Sequence, residues 1–263
     1  MIENRSVPLF GLSLSLLSLE EAAFFLIEGT PESPRAAMTL SLPMVGPLEK
    51  NASYRSAMER AEIVLPDGIG VVVASRILHG PGVPKSRVSG PDLFLTLCAQ
   101  AHLQHLSFFF LGSTPEVLER IRTRLAREYP GVVWAGAYSP PFGEWGEEEE
   151  RRILEKIASS GADILWVGMT APKQELWIDA HREELKLRGA AAVGAALRIP
   201  VVAGAWQDYC RQQALYCVDQ FVLLNPPDWQ QHRVGIAYYH GLPGSGPPEF
   251  DQVYQNLCRQ HER

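Results

Sequence analysis

Four stretches of the 263-residue chain set polar, chemically able side chains beside glycines or prolines at the ends of apolar runs. In Ile63-Val64-Leu65-Pro66-Asp67-Gly68-Ile69-Gly70 a carboxylate follows a strand-like run, next to glycines that let a ligand approach the backbone closely. Asp67 can act there as a general base, or it can cap the next helix while Gly68 fills a turn. Phe110-Leu111-Gly112-Ser113-Thr114-Pro115-Glu116 offers free N–H groups and two hydroxyls at a helix start, which suits an anion cradle or an ordinary N-cap. It carries neither a Walker lysine nor G-x-G-x-x-G, so a P-loop and the standard dinucleotide fingerprint are absent. Trp134 to Phe142 places Tyr138 after a strand between Gly136 and Pro140, able to stack on a base or sugar or to pack within its own loop. In Leu165 to Ile178 a strand ends at Gly168 and a helix begins at or just after Pro172, with Lys173, Gln174 and Glu175 in its first turn. Lysine is unfavourable at the positive end of a helix; a bound phosphate would account for it, and a solvated helix start is the alternative.

The elements that must position these residues are readable from periodicity. Near-continuous apolar runs at Ala37–Leu42, Ile63–Leu65, Leu106–Leu111, Val132–Ala135, Ile164–Val167 and Ala190–Val193 are expected as strands buried on both faces of a parallel sheet. Helices are expected between them. Ser18-Leu19-Glu20-Glu21 is a capping box opening Leu19–Ile27, and Thr114-Pro115 opens a helix with Val117, Leu118, Ile121 and Leu125 on one stripe. Glu147–Glu150 suit a first turn, or a solvated face, ahead of Ile153, Leu154 and Ile157. This alternation predicts an α/β fold with a doubly wound, mostly parallel, Rossmann-like sheet and helices on both faces. Ligands of such sheets bind beyond the carboxyl ends of the strands, where all four stretches fall. Gly241–Pro248 reads as a turn-rich link to a short helix at Phe250–Gln260.

Composition narrows the partners. With 46% hydrophobic and 21% charged residues the chain is globular rather than disordered. A net charge of -6 argues against a nucleic-acid partner, which usually needs a basic face. The four cysteines, Cys98, Cys210, Cys217 and Cys258, form no C-x-x-C pair and read as reduced thiols of a cytoplasmic protein. A zinc site drawn from Cys210, Cys217, His232 and His240 fits no standard spacing, so no metal is expected. The run from Val7 to Leu19 is broken by Gly11, Ser13, Ser15 and Ser18 and makes a poor signal or spanning segment. Any membrane contact is then expected to be peripheral.

Five ordered blocks, AEIVLPDGIGVVVASRILHG, RVSGPDLF, FFLGSTPEVLERI, YPGVVWAGAYSPPFGEW and ADILWVGMTAPKQELWI, resemble the WecG/TagA/CpsF glycosyltransferases across about Ala61 to Gly194. The resemblance implies an inverting, metal-independent enzyme without a cofactor. It would move a hexose or N-acetylhexosamine, commonly N-acetylmannosamine, from a UDP-sugar to a polyprenyl-diphosphate-linked sugar acceptor in cell-surface polysaccharide synthesis. On this pattern Asp67 is the base, Arg87 steadies diphosphate charge, and Thr39 and Gln174 face the same pocket. The UDP-sugar would meet Gly68, Gly112, Ser113, Tyr138, Gly168, Pro172, Lys173, Gln174 and Glu175. The family also implies a peripheral contact at the inner face of the membrane, and a homo-oligomer is a further expected partner.

Departures from the family pattern define alternatives. Where a T-x-N-x-x-H-like run is usual, the chain has Thr39-Leu40-Ser41-Leu42-Pro43-Met44, and a usual Phe-Asp pair is replaced within Gly194-Ala195-Ala196-Leu197-Arg198. From Leu197 to Arg263 there are five basic residues (Arg198, Arg211, Arg233, Arg259, Arg263) against six acidic ones, although Trp206 and Trp229 are kept. The division expected is a catalytic α/β domain at 1–196 and a diverged segment at 197–263 covering the site. A nucleotide-sugar-binding protein without transfer is the first alternative. A dinucleotide-dependent oxidoreductase, lacking its fingerprint loop, is the second.

Overall fold

The structure is a computed structural model that describes residues 2–80 and 83–194, the side chains of His102 and Leu103 excepted. The 197–263 segment, its C-terminal helix and the cysteine–histidine set considered for zinc lie outside the described residues.

Eight strands form one sheet among the described residues. They are β1 (Ser6–Leu9), β2 (Leu12–Ser15), β3 (Arg35–Leu40), β4 (Ile63–Pro66), β5 (Ser107–Gly112), β6 (Val133–Tyr138), β7 (Ile164–Gly168) and β8 (Gly189–Ala192). Eight helices accompany them: α1 (Leu19–Ile27), α2 (Leu42–Lys50), α3 (Ala52–Arg60), α4 (Ile69–His79), α5 (Gly90–Gln104), α6 (Pro115–Glu128), α7 (Glu147–Ser160) and α8 (Lys173–Ala180). The strand order is β1-β2-β4-β3-β8-β7-β5-β6, parallel throughout except that β1 runs antiparallel to β2.

Strand parity sorts the core into two layers. Ala37, Ile63, Leu65, Phe108, Phe110, Ile164, Trp166 and Ala191 face α1, α5 and α6. Their chain neighbours Met38, Val64, Phe109, Leu111, Leu165, Val167 and Ala192 face α2, α3, α7 and α8. The period of two thus buries both sheet faces, which is why these strands read as unbroken apolar runs. An edge-on contact of Trp166 with Phe94, at ring centroids 5.1 Å apart, ties α5 to the sheet, and one with Phe108 at 5.7 Å links β7 to β5; each adds roughly 0.5–1.5 kcal/mol.

The capping box of Ser18 and Glu21 and the Thr114 cap are formed as expected. The strand expected over Ala37–Leu42 ends instead at Leu40, because Ser41 is the N-cap of α2 and Leu42 begins that helix. The strand expected over Val132–Ala135 continues to Tyr138 across a register shift beside Phe108 and Phe109, and this puts Tyr138 at the strand tip. The apolar run from Val7 is a β-hairpin. Its two-residue turn, Phe10-Gly11, has φ of +52° and +79°, the sign pattern of a type I′ turn.

Candidate active site

The carboxyl ends of β3, β4, β5, β7 and β8 meet the starts of α2, α4, α6 and α8 along one edge of the sheet. β4 stops at Pro66, whose carbonyl accepts the Val88 N–H at 2.8 Å; the Asp67 N–H in turn donates to the Leu40 carbonyl at 2.9 Å. The tips of β3 and β4 and the strand-like stretch before α5 are thereby held side by side. Gly68, the N-cap of α4, has φ +88°, a value that favours glycine at this turn.

Asp67 is half-buried, and the first N–H of α5, from Gly90, donates to its carboxylate. Desolvation pushes its pKa up to about 6, against the pull of Arg87 and the Gly90 N–H and with a further push from Asp92. Arg87 Nη2 lies 3.3 Å from Asp92 Oδ2, and the same oxygen accepts the Ser89 hydroxyl at 2.6 Å. Thr39, on β3 opposite Leu65 of β4, is buried one residue short of the strand end. Asp67, Arg87 and Thr39 therefore share the β3–β4 end of the edge.

A second group gathers where β5 meets β7. Gly112 and Gly168 are register partners, and a Cβ on Gly112 would lie 2.6 Å from the Gly168 carbonyl oxygen. Ser113 adopts φ +62°, donates its N–H to that oxygen at 3.1 Å and keeps its Oγ buried without a partner among the described residues. Its carbonyl accepts the Ser139 hydroxyl at 2.8 Å, which brings the stretch after β6 to the same place.

The first turn of α8 is distributed among three environments. Gln174 is buried, accepts the Gly194 N–H at 2.9 Å and donates to Glu175 Oε1 at 2.7 Å, so its amide ties α8 to the end of β8. Lys173 Nζ sits 3.2 Å from the Trp145 ring centroid and donates to the Gly143 carbonyl. Its charge thus has protein partners in the loop after β6, which answers the dipole conflict without an anion. Tyr138 donates to Glu149 Oε1 at 2.7 Å.

Glu175 is fully buried, its Oε2 has no partner among the described residues, and desolvation pushes its pKa up to about 7. The folded protein then holds a proton that the unfolded chain releases near the ordinary carboxylate value, so stability falls as pH rises from about 4.5 through about 7. Asp67 acts in the same direction only up to about 6. Glu175→Gln is therefore expected to flatten the fall of stability between about pH 4.5 and 7, by an amount on the order of a few kcal/mol, seen as a shallower slope of Tm against pH. Thermal melts of the two proteins across that range check this, and equal slopes would contradict it.

Asp92 and Gly194 belong to these groups although the sequence reading did not single them out. The Ser89-x-x-Asp92 spacing was the available signal for Asp92, since the Ser89 side chain accepts the Asp92 N–H as the N-cap of α5. Gly194 gave none, because its part is played by a backbone N–H. Among the described residues no group of three His, Cys, Asp or Glu side chains is placed to hold a metal ion, and no helix is long and apolar enough to cross a membrane.

Two relatives carry the name N-acetylglucosaminyldiphosphoundecaprenol N-acetyl-beta-D-mannosaminyltransferase. That of Bacillus spizizenii is 31% identical over 150 residues, covering 57% of this chain and 56% of its own length. That of Staphylococcus aureus strain NCTC 8325 is 29% identical over 181 residues, covering 69% and 63%. The chain spans less than two thirds of the length of these curated relatives. The glycosyl transferase WecG/TagA/CpsF family matches residues 7–210, which include every element of the edge just described, and the chain belongs to that family.

Proposed function

We propose that the protein is an inverting glycosyltransferase that moves a hexose or N-acetylhexosamine, with N-acetylmannosamine the first candidate, from a UDP-sugar to a polyprenyl-diphosphate-linked saccharide in cell-wall polysaccharide synthesis. The observation that carries the reading is Asp67. It is a carboxylate at a strand tip, supported by a helix N–H, with a pKa near 6 that suits a base working near neutrality. The acceptor hydroxyl oxygen forms the new bond to the anomeric carbon as the bond from that carbon to the UDP oxygen breaks. The electron pair leaves with UDP, and the hydroxyl proton passes to the Asp67 carboxylate.

Charge on the departing diphosphate is met, in this reading, by Arg87 and by N–H groups at the Gly112–Ser113 turn and the helix starts, without a metal ion. Gln174 would serve by fixing the end of β8 and by offering its second amide hydrogen, since only one of its two donors is used by Glu175. The names of the two relatives support the lipid-linked acceptor and a peripheral location at the membrane face bearing that lipid.

The test is a transfer assay with purified protein, UDP-N-acetylmannosamine and an N-acetylglucosaminyl-diphosphate lipid. A disaccharide lipid and UDP are expected in equal amounts. A panel of other UDP-sugars sets donor identity. Thermal stabilisation by a UDP-sugar with no UDP release for any acceptor would instead leave a nucleotide-sugar-binding protein.

A further inference from the structure

The loop after β6 is fastened at both ends. At its start the Ser139 hydroxyl donates to the Ser113 carbonyl at 2.8 Å. At its end the Trp145 indole N–H donates to Glu150 Oε1. Glu150 belongs to the first turn of α7, where Glu147 and Glu148 are exposed but Glu150 is half-buried. Its other oxygen, Oε2, accepts the Trp177 indole N–H of α8 at 2.7 Å and lies 3.2 Å from Nε2 of His181, the C-cap of that helix. One carboxylate thus joins the loop, α7 and α8. A favourable charge at a helix start accounts for the acidic run, but not for two indoles converging on one of its carboxylates.

The indole that Glu150 holds is the one under Lys173. Lys173 Nζ stands 3.2 Å from the Trp145 ring centroid, and one of its three donors goes to the Gly143 carbonyl of the same loop. Glu150, through Trp145, therefore governs where the Lys173 ammonium stands. A lysine side chain has much conformational freedom to lose when it meets an anion, and one already ordered in the free protein loses less. We propose that Glu150 is a positioning residue for the donor: it fixes the 139–146 loop across the start of α8 and, through Trp145, presets the Lys173 ammonium for the diphosphate of a UDP-sugar. The inference rests on the reading of the Gly112–Ser113 turn and the start of α8 as the place of the UDP-sugar. Glu150 itself touches neither donor nor acceptor in this scheme.

Glu150→Gln keeps the side-chain shape but leaves one acceptor oxygen for two indole N–H groups and turns an amide N–H toward the other. It is expected to raise the Kd of UDP-N-acetylmannosamine, and the KM with it, by about fivefold, while kcat changes by less than about twofold. Lys173→Met is expected to raise both by about tenfold, through loss of a charge-assisted contact. The double variant is expected to bind no more weakly than Lys173→Met alone, because the cation that Glu150 places is already gone. A purely structural role would make the two losses multiply, to about fiftyfold. Trp145→Phe keeps a ring under Lys173 but has no N–H for Glu150. It is expected to raise Kd by about threefold, again with no further loss in the Lys173→Met background, and serves where Glu150→Gln does not fold.

Titrations of donor binding separate the claims. If Lys173→Met weakens binding while Glu150→Gln and Trp145→Phe leave it unchanged, or if the losses multiply, the inference fails and the place of the donor stands. Binding untouched by Lys173→Met overturns the inference together with the place given to the diphosphate. A parent protein that binds no UDP-sugar of the panel overturns the proposed function, and the inference with it.

Discussion

Replacing Asp67 with Asn is expected to reduce transfer by about 10²–10⁴-fold, the range over which a positioned base contributes, while UDP-sugar binding changes little. Asparagine keeps the side-chain shape, and its Oδ1 can still accept the Gly90 N–H, so the turn between β4 and α4 should survive. What is lost is the ability to hold a proton. A transfer assay paired with a binding titration for the donor separates the two, since loss of the base lowers kcat and kcat/KM together. If Asp67 is the base of the proposed transfer, the parent protein should lose that activity as pH falls through about 6, because desolvation has lifted the Asp67 pKa to that value and the protonated acid cannot accept. The variant's residual rate should lack that limb. Unimpaired transfer by the variant would exclude Asp67 as the base.

The second large effect is expected at Gly112. Its φ of +104° disfavours any side chain, and a Cβ there would meet the Gly168 carbonyl oxygen at 2.6 Å and its carbon at 2.8 Å. Those are backbone atoms of a paired strand, unable to swing aside. Gly112→Ala should therefore destabilise the protein on the order of 3 kcal/mol, from backbone strain plus overpacking, and lower Tm by about 6–12 °C. Gly161 is the control. It caps α7 with φ +61° but has nothing within 4 Å of a Cβ, so alanine there costs only about 1 kcal/mol. Melting curves for the two variants check the difference. Because Ser113 takes its position from the same turn, Gly112→Ala should also weaken the UDP-sugar binding proposed for this turn, which Gly161→Ala should not.

How much of this was legible in the sequence varied with the kind of signal. Strands buried on both faces announce themselves as apolar runs, and β5, β7 and β8 fell within a residue or so of expectation. Caps with side chains were equally plain at Ser18 and Thr114. The hairpin was hidden because Phe10, a bulky residue, holds a positive φ beside Gly11, and its alternating Leu12, Ser13, Leu14 and Ser15 resembled a broken apolar stretch. α2 was hidden because Pro43 and Pro47 lie inside it, where propensity argues for a break. At the edge, Asp67 stood out by its strand-end setting. The partners of Lys173 did not, because a loop contact thirty residues away leaves no local trace.

The position of β8 has a consequence for how the chain folds. This last described strand lies in the middle of the sheet, bonded to β3 on one side and β7 on the other, with Arg35 opposite Gly189 across more than 150 residues of sequence. Until it arrives, the β1-β2-β4-β3 half and the β7-β5-β6 half have no strand between them, and each presents an open apolar edge. On the ribosome both halves must wait for nearly two hundred residues to be made before they can join, which favours a slow, long-range closing step and exposure to strand-mediated aggregation beforehand. A chain stopped before Gly189 should accumulate as two unjoined half-sheets, so the central seam of the sheet is the last part of it that synthesis supplies among the described residues.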